Sequence, residues 1–284
     1  MRDEAVAGLH IKKLGRYIDA TLGNGGHALG IIKLGGHVLG IDIDPKMIEI
    51  SDTRLSKLNN FKLVRGNFKD IDRIASENEW TPVDGILFDL GVSNIHLKDL
   101  ERGFSFENPD ASLDMRLDPS EQGVKAYDLL NVLREDQLTN MFEVTLDPGP
   151  ARWITSRVIS ARENGQITKV GEMQEICKGL KTGRHGLNEA TLPFLALRIA
   201  VNSELENLKT GLTKSFGLLK SGGRIVVISF HSKEDEIVKD FFKEKSLEGK
   251  AELITFKPVK ASDEEVEKNR RARSAKMRVL QKIK

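Results

Sequence analysis

The chain has one cysteine in 284 residues, Cys177, which excludes an internal disulfide and any cysteine-based zinc site. It has no long hydrophobic run. The longest strongly apolar stretch, Ile225 to Phe230, is far too short to span a bilayer. The first residues, Met1 to Gly8, carry Asp3 and Glu4 and no apolar segment, so no secretory signal is expected there. No charge sign dominates: 44 Lys and Arg against 42 Asp and Glu leave a net +2. That balance excludes a wholly basic nucleic-acid coat and an acidic disordered tail protein. There is no internal repeat, and the histidines lack metal-ligand spacing, so no metal is expected. At 39% apolar and 30% charged, the chain reads as a globular protein with a buried core, expected in the cytoplasm and away from membranes.

The first ninety residues alternate short apolar runs with helical patterns. Strands are predicted at Arg16 to Thr21, His37 to Asp42, Phe61 to Val64 and Val83 to Asp89. Helices are predicted at Ala28 to Lys33, Pro45 to Leu58 and Phe68 to Glu77. This rhythm predicts an α/β fold with a parallel sheet covered on both faces. Between 94 and 188 no buried strand is legible, only polar loops and amphipathic helices such as Ala126 to Phe142 and Ala151 to Arg162. Alternation resumes with one long helix over Pro193 to Leu219, a strand at Arg224 to Phe230 and a helix from Ser232 to Lys245. Late strands are expected at Ala251 to Phe256 and Met277 to Ile283. The expected organisation is one α/β domain, 1–93 with 189–284, interrupted by a helical insertion over 94–188.

The loop Asp19-Ala-Thr-Leu-Gly23-Asn-Gly25-Gly26-His27 follows the first strand and opens the first helix. Glycines there let the backbone approach a ligand and aim helix N-terminal amides at it. Asp42 ends the next strand, seventeen residues after Gly25, where a carboxylate can accept both hydroxyls of a ribose. Together they indicate a nucleoside-bearing cofactor. The third glycine is offset from the dinucleotide pattern G-x-G-x-x-G. Phe68 follows the third strand at a place that could flank an adenine, and Asp89 ends the fourth at the switch-point crevice. These placements fit S-adenosylmethionine better than NAD. An NAD-dependent dehydrogenase and a non-catalytic RNA-binding assembly factor stay as alternatives.

The blocks DATLGNGGH, GIDID, FDLGVSN, ERGFSF, LDMRLDP, ALRIAVNSELENL, GGRIVVISFHSKED and RARSAKMRV run in order from Asp19 to Val279. In them the chain resembles the ribosomal RNA small subunit methyltransferase H family. The resemblance implies a Rossmann-like, S-adenosylmethionine-dependent methyltransferase sheet with an inserted RNA-recognition domain. It implies methylation of the N4 amine of a decoding-centre cytidine in 16S rRNA, on a 30S particle, by an enzyme that is a homodimer. It further implies that Gly23, Gly25, Gly26 and His27 contact the donor, Asp42 holds the ribose, Phe68 packs near the adenine and Asp89 stands beside the methionine amine. The family's Gln after the DLGVS block is His96 here, a residue able to take one of its hydrogen bonds.

Cytosine's exocyclic amine is a weak nucleophile, and an acceptor on one of its N–H bonds would assist transfer. Asp89 or Ser93 is expected in that role, with His231 or Asp114 as alternatives. Attack at the ring carbon would need a thiolate, and Cys177 has no base beside it in sequence. Arg116, Arg198 and Asn202 are candidates for RNA contact or for structural bonds within the insertion. From Lys268 to Lys284 there are eight Lys or Arg and no acid. Met277, Val279 and Ile283 alternate like a half-buried strand, so the basic residues before it are expected on an ordered edge, with Arg270, Arg271 and Arg273 meeting RNA phosphate.

Overall fold

The computed structural model describes the whole chain apart from Arg184 and His185 and the side chains of Asn94 and Arg271. The chain divides into two compact units, 1–91 with 205–284, and 92–204.

The first unit is an eight-stranded sheet. It opens with α1 (Arg2–Leu9), then β1 (Arg16–Asp19), α2 (Gly26–Lys33), β2 (His37–Asp42), α3 (Pro45–Leu55) and β3 (Phe61–Arg65). A single 3-10 turn, Phe68–Asp70, leads into α4 (Ile71–Glu77) and β4 (Val83–Asp89). The second unit holds α5 (Asn94–Lys98), α6 (Ala126–Val132), α7 (Glu135–Glu143), α8 (Pro148–Glu163), α9 (Val170–Cys177) and α10 (Thr191–Asn202). After α11 (Glu204–Leu218) the sheet resumes with β5 (Leu219–Ser229), α12 (Ser232–Leu247), β6 (Ala251–Leu253), β7 (Val259–Lys260), α13 (Asp263–Lys268) and β8 (Lys276–Lys282).

The strand order is β3-β2-β1-β4-β5-β8-β6, with β7 also on β8. Strands β3 to β5 are parallel, and β8 is antiparallel to both β5 and β6. The chain moves outward from β1 to β3 and returns to lay β4 on the other side of β1. That reversal puts a ligand crevice at the carboxyl ends of β1 and β4, and the topology is Rossmann-like.

Alternate residues of each strand feed opposite cores. Tyr17, Val38, Leu87, Val226 and Val279 pack with Val6, Ile31 and Leu55 from α1, α2 and α3. Their neighbours Ile18, Leu39, Phe88, Val227 and Leu280 pack with Ile74, Leu212 and Phe242 from α4, α11 and α12. The second unit closes its own core around Leu130, Phe142, Ile154, Met173 and Leu197.

Several expectations are corrected here. The single helix over Pro193 to Leu219 is two, broken at Ser203, which adopts left-handed backbone at φ 49°. The second boundary falls at Leu205 and not 189, because Phe194, Ala196 and Leu197 of α10 belong to the core of the helical unit. The terminal strand, expected to be half-buried, is an interior one. β8 lies between β5 and β6, with Met277 to Leu280 buried. Its Arg278 and Lys276 pair with Asp235, at 2.7 and 3.0 Å, and Lys282 Nζ donates to the Phe216 and Leu219 carbonyls. The helix expected over Ala126 to Phe142 is likewise divided, into α6 and α7.

Candidate active site

In the first unit, β1, β2 and β4 each end in aspartate, Asp19, Asp42 and Asp89. Between β1 and α2 the backbone turns through Gly23 and Gly25, at φ 54° and 74°. A side chain on Gly25 would be strained by that φ and would press on Ser51 Oγ at 3.1 Å. The loop is tied down from outside itself. Asp42 Oδ2 accepts from the Gly23 N–H at 2.7 Å, and Ser51 Oγ donates to the Gly23 carbonyl at 2.8 Å. Asp42 Oδ1 accepts from the Asp44 N–H at 2.9 Å. The predicted pairing of the glycine loop with Asp42 is therefore a direct contact.

His27, in the first turn of α2, reaches across to β4: its Nε2 lies 3.2 Å from Asp89 Oδ2. The Asp89 N–H donates to Thr21 Oγ1 at 2.6 Å, which fixes the strand end against the loop. Three atoms here are buried with no hydrogen-bond partner among the described residues: Asp19 Oδ2, His27 Nδ1 and Asp89 Oδ1. Buried polar atoms without partners are costly, and their convergence marks a place where a polar ligand group completes the bonding. Burial pushes the Asp19 carboxyl up to about 6, offset in part by the His27 charge. Burial also works against a charged His27. The hydrogen bond and charge of Asp89, helped by the charge of Asp19, outweigh it, so the imidazole holds its proton above the usual range.

Asp19 was not among the expected site residues, nor were Ser51 and Thr21. The signal for Asp19 was available: like Asp42 and Asp89, it is the carboxylate that closes an apolar strand. Phe68 is packed edge-on to Phe88, with ring centres 5.6 Å apart, and against Gly211, where an added methyl would stand 2.9 Å from the ring. Its ring is held by the core of the α/β unit.

His231 is the N-cap of α12. Its Nδ1 accepts from the Glu234 N–H, and Glu234 accepts from the Phe230 N–H in return. That is a structural role for Nδ1, while Nε2 lies buried 3.2 Å from Glu234 Oε1.

In the helical unit, Ser93 and His96 form the capping box of α5, in which the Ser93 N–H donates to His96 Nδ1 at 3.1 Å. The His96 ring stacks at a tilt near Phe104, 5.7 Å away. Asp114 grips Arg116 with both oxygens, at 2.7 and 2.8 Å, and the Arg116 guanidinium also donates to the Pro119 and Gln122 carbonyls. Burial acts to raise the Asp114 carboxyl, but the Arg116 hydrogen bonds and charge hold it below the ordinary range. Arg198 is bidentate to Glu204, at 2.8 and 2.9 Å. Asn202 donates to the Met115 and Arg198 carbonyls and accepts from the Leu117 N–H and from Gln122. Arg116, Arg198 and Asn202 are thus engaged in the unit's own architecture, the structural alternative given for them. Asp114, held in the same ion pair, is likewise not placed as an acceptor.

Cys177 is in the helical core, where burial pushes its thiol up to about 12. A thiol so protonated does not serve as a nucleophile at neutral pH. Arg270 and Arg273 are exposed on the 3-10 turn Arg270–Ser274. The Arg271 side chain lies outside the described residues.

A family model described as the MraW methylase family matches residues 1–283. Ribosomal RNA small subunit methyltransferase H of Caldicellulosiruptor saccharolyticus is 40% identical over 300 residues, covering 99% of this chain and 97% of that protein. The proteins of the same name from Methylacidiphilum infernorum and Coprothermobacter proteolyticus are each 41% identical, over 94% of this chain and 88% and 90% of their own lengths.

Proposed function

Since the chain belongs to the MraW methylase family, we infer that it is an S-adenosylmethionine-dependent methyltransferase of small-subunit 16S ribosomal RNA. The acceptor we propose is the N4 amine of a cytidine in the decoding centre, presented on a 30S particle. The observation that carries the reading is the site at the ends of β1, β2 and β4. There, a left-handed glycine turn, Asp42 and a set of unpartnered buried polar atoms stand together.

The residues present fit the donor. Gly23, Gly25 and Gly26 let the backbone come close to the donor without side-chain bulk. Asp42 offers carboxylate lone pairs to a ribose while it anchors Gly23. Asp89, oriented by His27 and Thr21, offers its second oxygen to an ammonium group. Phe68 borders the nucleobase, and His96 takes the place of the family's Gln. When bound, the donor supplies a methyl group already activated on a sulfonium.

The chain's own task is alignment and relief of charge on the amine. Asp89 or Ser93 accepts a hydrogen bond from an amine N–H and so raises electron density on nitrogen. Covalent addition to the ring is not needed, in keeping with the protonated Cys177 thiol. The helical unit, 92–204, recognises the RNA, and the exposed Arg270 and Arg273 meet its phosphates. The homodimer rests on the family resemblance alone.

Asp89→Ala and Ser93→Ala, assayed separately at saturating donor with 30S particles and mass spectrometry of the product nucleoside, test the assignment. Loss of transfer in one of them with S-adenosylhomocysteine binding retained identifies the acceptor; full transfer in both overturns the assignment. A product other than N4-methylcytidine overturns the proposed atom.

A further inference from the structure

The segment Ile254 to Lys260 is the outer edge of the α/β unit, and the reaction described above leaves it without a role. β6 runs antiparallel to β8, and β8 antiparallel to β5, so β6 points the same way as β5. The chain therefore climbs from Ala251 toward the rim that carries Asp19, Asp42 and Asp89. It pairs again at β7, where Lys260 stands opposite Lys276, which stands opposite Ser229 at the end of β5. Between β6 and β7 the backbone bulges outward, and Phe256 sits on the bulge with 85% of its surface exposed.

This aromatic ring is presented by a fixed backbone. The Ile254 and Thr255 N–H groups both donate to the Val279 carbonyl, at 3.1 and 3.4 Å, and Thr255 Oγ1 accepts from the Val279 N–H at 2.9 Å. Val279 is itself buried in the sheet. Ile254 and Val259 beside it are 37% exposed, so the bulge carries more apolar surface than a lone stray side chain. From Ile254 to Ser262 there are two lysines, Lys257 and Lys260, both exposed, and no acid. Arg270 and Arg273 precede β8 at the same rim. Acids stand nearby on β6 and α13, and Asp235 is bonded to Lys276; Glu252 of β6 is exposed. Glu264 is paired with Lys268 and Glu265 with the α-amino group of Met1, while Asp263 and Glu267 lie on the same helix.

We propose that Phe256, with Lys257 and Lys260, is a stacking platform for a single-stranded stretch of the RNA substrate flanking the reactive nucleotide. The proposal rests on the reading of the chain as an rRNA methyltransferase and names a surface that the reading does not. An exposed ring flanked by two exposed lysines matches the two parts of a single strand, a base face and a phosphate. A second copy of the chain fits less well. A two-fold contact centred on Phe256 would set Lys257 and Lys260 against their own copies. Edge-to-edge pairing is blocked by the brevity of β6 and β7, the bulge between them and Pro258.

The test is fluorescence anisotropy of a short labelled single-stranded RNA of the decoding-region sequence, titrated with full-length protein at several salt concentrations. Phe256→Ala should weaken binding by about tenfold with its salt slope unchanged, Phe256→Tyr should bind like the parent, and Phe256→Leu should not rescue. Lys257→Ala and Lys260→Ala should each reduce the salt slope by roughly 0.7. Equal binding by the parent, Phe256→Ala and Phe256→Leu overturns the platform while leaving the methyltransferase reading intact. A self-association that Phe256→Ala abolishes, with RNA binding unchanged, overturns it in favour of a subunit interface. A parent protein that neither binds the RNA nor methylates 30S particles overturns both readings.

Discussion

His27 Nε2 stands 3.2 Å from Asp89 Oδ2, which joins the first turn of α2 to the end of β4. The two residues are far apart in sequence and belong to separate blocks, so the contact exists only once β1 and β4 are neighbours. It leaves Asp89 with one unpartnered oxygen and so decides which oxygen a ligand meets. His27→Ala should weaken binding of S-adenosylhomocysteine by about tenfold, the value of one charge-assisted hydrogen bond. Isothermal titration checks this, and His27→Gln should recover part of the loss.

The same pair has a pH signature. His27 is held above its ordinary value of 6.5 by Asp89 and Asp19 against the effect of burial. Its contribution to stability is fully present below pH 6.5 and is lost as pH rises through the folded value. Urea unfolding between pH 6 and 9 should show that decline in the parent and not in His27→Ala.

Asp19 gives the same sign in a lower window. Burial holds its carboxyl at about 6, above the ordinary 3.8, so the folded chain keeps a proton that the unfolded chain releases. Stability therefore falls as pH rises from 3.8 to about 6. Asp19→Asn should remove that fall and gain up to about 3 kcal/mol at pH 8 in the ligand-free protein. Parallel pH profiles for variant and parent would contradict the burial account.

Asp235 joins α12 to the interior strand β8 through Arg278 and Lys276. Burial acts to raise its carboxyl, but these partners hold it below the ordinary range. The stability this lends is present above the ordinary carboxylate pKa and is lost as pH falls through the folded value. Asp235→Ala leaves the buried Arg278 without its counter-charge and should destabilise by about 3–5 kcal/mol. Chemical denaturation at pH 7 measures it.

In the helical unit, Asn202→Ala should cost about 2–4 kcal/mol, because the Leu117 N–H and the Met115 carbonyl lose their partner. Limited proteolysis should then cut within the Met115 to Gln122 loop sooner than in the parent.

The parallel half of the sheet was legible because buried strands are short apolar runs bounded by glycine and acid. The predicted spans for β2 and β4 match the structure residue for residue. The glycine loop and Asp42 were legible as a pair because strand, turn and helix fix their separation. Other features depend on bonds that spacing does not reveal. Nothing local announces that Ser203 turns left-handed, so α10 and α11 read as one helix. β8 read as half-buried, and nothing local announced its place inside the sheet; Asp235, more than forty residues earlier, accounts for the buried Arg278. Arg116 and Arg198 stayed open between RNA contact and structural bonds because their carboxylates, Asp114 and Glu204, are specified by geometry and not by composition.

A crystal structure of the protein with S-adenosylhomocysteine tests the central claim most directly. The account predicts the ribose hydroxyls on Asp42, the amino group on the open oxygen of Asp89 and the glycine loop against the ligand. A ligand held elsewhere, with Asp42 and Asp89 untouched, would contradict it.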